Sequence, residues 1–102
     1  MDYDLIIIGS GPAGLSAAQY GARANLKTLV IENGSVGGQV LNINDFENYP
    51  GVFPAVKGSD FINTMVEQAK AFGAEFLQGT VSSIDKIKNQ FIVKTDKGEL
   101  KS

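Results

Sequence analysis

The sequence predicts an α/β fold, a short parallel sheet with helices followed by a β-meander, on three observations. The apolar run Leu5-Ile6-Ile7-Ile8 precedes a glycine turn and a helical pattern. A second such run, Lys27–Glu32, follows soon enough to complete strand, helix and strand in about 30 residues, the span of a βαβ unit. After a long irregular stretch and another helical pattern, alternating segments close the chain.

Each element has a local reason. A continuous, mostly β-branched run such as Leu5–Ile8 fits a strand buried on both faces of a parallel sheet. Pro12 suits the first helical position, where its missing N–H costs nothing. Ala13, Ala17, Tyr20 and Ala24 recur at helical spacing and mark the expected buried face, and Asn25 offers a left-handed stop. Asn33–Val56 holds Gly34, Gly37-Gly38, Pro50-Gly51 and Pro54 and reads as irregular. Its density of apolar side chains, from Val36 to Phe53, argues that it is packed rather than disordered, and long ordered loops are usually functional. Gly58-Ser59-Asp60 supplies N-cap chemistry for a helix through Phe72, with Ile62, Met65, Val66, Ala69 and Phe72 on the buried side and Gly73 as its stop. Ala74–Leu77 reads as a third parallel strand. Val81–Ile87 and Gln90–Thr95 alternate about Lys88-Asn89 as a hairpin, and Asp96-Lys97-Gly98 turns toward a third β segment.

Composition excludes several function classes. The 102 residues fit one domain. Thirty of them are Leu, Ile, Val or Phe, enough to fold rather than remain disordered. A net charge of −2 argues against nucleic acid as a partner. With no Cys and no His, the chain holds no disulfide, thiolate cluster, redox-active thiol pair or histidine acid–base pair. The acidic start Asp2-Tyr3-Asp4 and the short run behind it do not make a signal peptide. Nothing approaches the ~20 apolar residues of a membrane span, so the expected location is cytoplasmic. Lysines of the last segments are offset by Asp85, Asp96 and Glu99, a solvated face rather than a binding patch. Of twelve glycines, eight fall by Gly51, which points to the first half as the functional one.

Gly9-Ser10-Gly11-Pro12-Ala13-Gly14 is a G-x-G-x-x-G run between predicted strand and predicted helix, and Glu32 ends the next strand 18 residues after Gly14. Together these form the dinucleotide-binding fingerprint. Gly9 allows the tight turn, Gly11 lets the backbone approach a pyrophosphate, and Gly14 lets helix and strand pack closely. The helix N-terminus offers unpaired N–H groups to the diphosphate. Glu32 can accept hydrogen bonds from an adenosine ribose and would repel a 2′-phosphate, which leaves FAD and NAD open and disfavours NADPH at this site. Gly37-Gly38-Gln39 offers backbone N–H groups and an amide near the strand ends, or else a simple flexible loop. Glu47-Asn48-Tyr49-Pro50-Gly51 places an amide and an aromatic ahead of a turn, which would also serve as an ordinary Pro-Gly turn.

These motifs, with Tyr20-Gly21-Ala22-Arg23-Ala24-Asn25-Leu26, Glu67-Gln68-Ala69 and Phe72-Gly73-Ala74-Glu75, resemble the N-terminal FAD domain of bacterial thioredoxin reductases from end to end. The resemblance implies a partial Rossmann-like FAD-binding domain of three layers, ββα. It implies that Gly9, Ser10, Gly11, Pro12, Ala13 and Gly14 hold the FAD pyrophosphate and that Glu32 binds the ribose. Asn33, Gly37, Gly38, Gln39 and Asn48 would approach the ribityl and flavin portions, and the Val81 backbone would meet adenine. It implies a homodimer when complete, with thioredoxin as partner. In that family an NADPH domain is inserted after the meander and carries the Cys-x-x-Cys pair. Residues 1–102 would then be an incomplete FAD domain, about the first third of such an enzyme, ending before the strand with the family's Ala-Thr-Gly motif and inactive alone. Three other readings stand beside it: a ferredoxin–NADP reductase-like flavoprotein without the dithiol pair, a stand-alone NAD-binding module, and a remnant that binds nothing.

Overall fold

The structure, a computed structural model, describes residues 2–102. Strand β1 (Leu5–Ile8), helix α1 (Pro12–Arg23) and strand β2 (Thr28–Glu32) form the expected βαβ unit. A 3₁₀-helix (Gly38–Asn42), helix α2 (Gly58–Ala71) and strand β3 (Glu75–Gln78) follow, and β4 (Val81–Ile87), β5 (Gln90–Thr95) and β6 (Gly98–Lys101) complete the chain. β1, β2 and β3 pair in parallel in that order, with Val30 between Ile7 and Phe76. β4, β5 and β6 form a separate antiparallel meander, its register shifting between Val81 and Ser83.

Strand alternation sorts the side chains into three layers. Ile7, Val30 and Phe76 point to the helices, where they meet Ala18, Ala22 and Ala69. Ile6, Leu29, Ile31 and Leu77 point the other way, onto Val81, Val93 and Leu100 of the meander. The result is the ββα stack, with the parallel sheet as its middle layer. Gly21 fixes how closely α1 approaches, because a Cβ there would lie 2.6 Å from Leu5 Cδ2 and 3.0 Å from Thr28 Oγ1.

Four sequence expectations need correction. β1 is not buried on both faces: it is an edge strand, and Ile8 is 48% exposed. Only the central β2 has the full burial that an apolar run suggests. The buried side of α1 is Leu15, Ala18, Gly21 and Ala22, while Ala13, Ala17, Tyr20 and Ala24 face solvent. Alanine is too weak a hydrophobe to set a helix's rotation, and the single Leu15 sets it instead. Helix α2 buries Ile62, Met65 and Ala69 as expected, but Phe72 lies past its end, largely exposed. Its N-cap is Lys57, without a side-chain cap, and Asp60 serves the first turn through the helix dipole. Gly58 belongs to the helix and lies against the Val40 carbonyl, which leaves no room for a Cβ.

The stops behave as read. Asn25 and Gly73 both take positive φ, 66° and 107°, the left-handed conformation that ends a helix. The long loop is packed: Phe46 pairs with Val56 in an isolated bridge and stacks on Phe61 at 4.6 Å, with Tyr49 5.0 Å from Phe61. Among the described residues, no helix is long and apolar enough to cross a membrane.

Candidate nucleotide-binding site

The C-terminal ends of β1 and β2 converge with the loop after β3 around a cavity of about 130 Å³. It is lined by Ile8, Gly9, Ile31, Glu32, Asn33, Gly79 and Val81. Open α/β sheets bind ligands at this end of their strands. Four of the sequence-predicted residues, Gly9, Glu32, Asn33 and Val81, therefore meet at one place. Gly79 was missed by sequence reasoning. Its amide donates to the Glu32 carbonyl at 2.9 Å and carries the chain from β3 across the cavity. The signal was a glycine between two strands, which reads as a turn until β3 is placed beside β2.

The fingerprint glycines do separable work. Gly9 has φ +102° and its N–H donates to the Ile31 carbonyl at 2.8 Å, which turns the chain out of β1. A Cβ on Gly14 would overlap the Gly9 carbonyl oxygen, so helix and turn touch backbone to backbone there. Gly11 precedes α1 with φ −70°, a value open to any residue, and a Cβ on it would meet nothing within 4 Å. Gly14 is thus demanded by packing and Gly11 is not. Open space at Gly11, beside the free N–H groups at the start of α1, suits an approaching diphosphate.

Ser10 and Glu32 are joined. The Ser10 hydroxyl donates to Glu32 Oε1 at 2.6 Å, and the Ser10 N–H donates to the same oxygen at 3.0 Å. Gly34 N–H donates to Oε2 at 2.8 Å. The Ser10 hydroxyl holds the Glu32 carboxyl below its ordinary value, with backbone N–H groups of Gly34, Ser10 and Asn33 adding to it and desolvation opposing. Glu32 is therefore a preorganised anion at the end of β2.

The Gly37 loop differs from the sequence expectation. Gly37 is buried, at φ +101°, with its N–H donating to the Ser10 carbonyl at 2.9 Å; Gly38 N–H donates to the Ser35 carbonyl at 3.0 Å. Both amides are thus engaged within the chain. A Cβ on Gly37 would lie 2.7 Å from Ile62 Cγ2, so this glycine lets the loop seat against α2. Gln39 and Asn48 are exposed and do not line the strand-end cavity. The segment around Asn48 is held near α1 by Tyr49, whose hydroxyl lies 3.2 Å from that of Ser16.

Comparison with known proteins agrees with this architecture. The family model described as pyridine nucleotide-disulphide oxidoreductase matches residues 3–102. The chain is 49% identical over 100 residues to a thioredoxin reductase of Bacillus subtilis, covering 98% of this chain and 31% of that protein. It is 50% identical over 97 residues to a thioredoxin reductase of Treponema pallidum, covering 95% of this chain and 32% of that one. The crystal structure of Lactococcus lactis thioredoxin reductase superposes with a TM-score of 0.91 at 39% identity, over 98% of this chain and 33% of that chain. The chain spans about a third of the length of these relatives. A family match across nearly every residue, near 50% identity to curated relatives and a close superposition on a solved one have one meaning: this chain belongs to the pyridine nucleotide-disulphide oxidoreductase family, as a segment homologous to the FAD-binding region of thioredoxin reductases.

Proposed function

We propose that this chain holds the ADP half of FAD and serves an NADPH-dependent thioredoxin reductase. The observation that carries this reading is the strand-end cavity shared by Gly9, Glu32, Asn33 and Val81, in a chain that matches the family over residues 3–102. The residues fit the group. Open space at Gly11 admits a pyrophosphate against the backbone, and the start of α1 presents N–H groups to its charge. Glu32 accepts hydrogen bonds from ribose hydroxyls and repels a 2′-phosphate, which favours FAD over NADP. Ile8, Ile31 and Val81 give the cavity apolar walls that suit a purine. When bound, FAD supplies the step between a two-electron hydride donor and a dithiol acceptor. The chain has no Cys, so no thiol step falls to its own residues. In this reading electrons come from NADPH bound on another domain, and thioredoxin is the final acceptor of a homodimeric, cytoplasmic enzyme.

The test is to purify the full-length protein that carries this segment, release its ligand by heat and identify it by mass. FAD is the expected result, and bound FAD is yellow and fluorescent. Recovery of NAD without flavin would overturn the reading.

A further inference from the structure

We propose that Ser10 is a positioning residue for the nucleotide site, one that presents the Glu32 carboxylate to a ribose and does not itself contact the ligand through its side chain. The inference rests on the dinucleotide reading above and deepens it.

Ser10 is fully buried, and its hydroxyl is directed at the Glu32 carboxylate. A buried hydroxyl is costly unless paired. This one donates to Glu32 Oε1 at 2.6 Å, a short bond to a charged acceptor. The N–H of the same residue donates to the same oxygen, while its carbonyl accepts from Gly37 N–H at 2.9 Å. Ser10 therefore ties the end of β2 to the turn after β1 and to the start of the Gly37 loop. The two carboxylate oxygens are unequally used. Oε1 accepts two bonds from Ser10 and Oε2 one from Gly34. A carboxylate has about four acceptor positions, so Oε2 keeps the readier one, and a ribose hydroxyl is assigned to it.

Few other groups bias this carboxylate. The remaining cavity residues, Ile8, Gly9, Ile31, Asn33, Gly79 and Val81, carry no charge. From the meander comes Asp96, whose Oδ1 accepts from Thr80 N–H at 2.8 Å, behind Gly79. Helix α1 begins with no acidic side chain in its first turn. Without the Ser10 hydroxyl, Oε1 keeps one donor, the carboxyl is easier to protonate, and ribose binding is lost at a higher pH.

The test combines two readouts on the full-length protein that carries this segment, stripped of nucleotide. The first is the titration of the Glu32 carboxyl, followed by carbon-13 NMR without nucleotide, in the wild type, Ser10→Ala and Ser10→Thr. The second is an FAD titration at pH 4.5 and pH 8, read from flavin fluorescence, with circular dichroism reporting whether each variant is folded. Ser10→Ala is expected to raise the Glu32 pKa, because the Ser10 hydroxyl is the largest of the influences that hold it down. It should weaken FAD binding more at pH 4.5 than at pH 8, and Ser10→Thr should restore part of both. In a Glu32→Ala background, Ser10→Ala should change FAD affinity less than about twofold, since residues acting as a unit are not additive. An unshifted Glu32 titration, or independent effects of the two substitutions, overturns the proposal. A Glu32 titration shifted by Ser10→Ala in a full-length protein that takes up no FAD would sink the dinucleotide reading and leave the Ser10–Glu32 pairing standing.

Discussion

At the scale of single residues, two glycines of one motif are set apart by what a methyl group would meet. Gly14→Ala pushes a Cβ into the Gly9 carbonyl. It should cost about 1–3 kcal/mol of stability, as overpacking does, measurable by urea unfolding. Gly11→Ala meets nothing in the chain and has a tolerant φ. It should leave the urea midpoint nearly unchanged while weakening FAD at least about tenfold, or 1.4 kcal/mol. Glu32→Gln should weaken FAD less than Gly11→Ala, because it keeps an acceptor; a flavin titration giving the reverse order would show the roles misassigned. Glu32 also sets an acid limit on the fold. Its folded-state pKa is lowered, so its stabilisation is complete above the ordinary value of 4.5 and is lost as pH falls through the lowered value. Thermal melts should decline more steeply in the wild type than in Glu32→Gln as pH falls from the ordinary value through the lowered one. The fingerprint itself was legible because strand, turn, helix and acidic residue lie within one stretch. The engagement of Gly37 was not, since its partner Ile62 comes from a helix 25 residues further along the chain.

Elements show where pattern reading works and where it fails. β4 and β5 have the bounds that alternation predicts, Val81–Ile87 and Gln90–Thr95, because a one-sided sheet writes its burial into a two-residue period. Helix α1 has no such clarity. Its face is built from Ala, Gly and one Leu, and a stripe of alanines could be drawn on either side. Substitution can read the true rotation. Leu15→Ala should cost about 2–5 kcal/mol, as loss of a buried leucine does. Tyr20, 70% exposed, should tolerate Tyr20→Ser within about 0.5 kcal/mol. Equal losses at both positions would contradict the packing of α1 on the sheet.

For the molecule as a whole, β1 is the last strand of the parallel sheet among the described residues, and no described strand pairs with its outer edge. Beside it runs an apolar groove of about 310 Å³, lined by Leu5, Ile6 and Ile8 on one wall and Ile84, Phe91 and Val93 on the other. An unpaired, apolar strand edge invites pairing with another chain. The 102-residue chain alone should self-associate at micromolar concentration, and Ile84→Lys should reduce this in light scattering without unfolding it, since Ile84 is 55% exposed. The same chain should bind FAD too weakly to retain it through gel filtration. Mixed with FAD, NADPH and thioredoxin, it should show no fragment-dependent loss of NADPH absorbance, because it contains no thiol pair. From local pattern alone Leu5–Ile8 reads as a run buried on both faces; the family resemblance, which puts the strands on its far side outside residues 1–102, is what makes its apolar flank an expected open edge.

The N-terminal segment leaves one kinetic consequence. Asp2 and Tyr3 N–H groups both donate to the Lys101 carbonyl, and Lys101 N–H returns to Asp2 Oδ2 at 2.9 Å. These contacts join positions up to 99 residues apart, so they close a long loop, and loop closure grows costlier with length. The βαβ unit needs only local encounters and can assemble early. The meander can be clamped onto it only when the last strand is available. On the ribosome, at about 5–20 residues per second, that wait for β6 lasts several seconds after β1 has emerged, and throughout it Ile6, Leu29, Ile31 and Leu77 lack their cover. The clamp between Asp2 and Lys101 is therefore a timing device, and the interval before it closes is when a nascent chain of this kind most needs a chaperone.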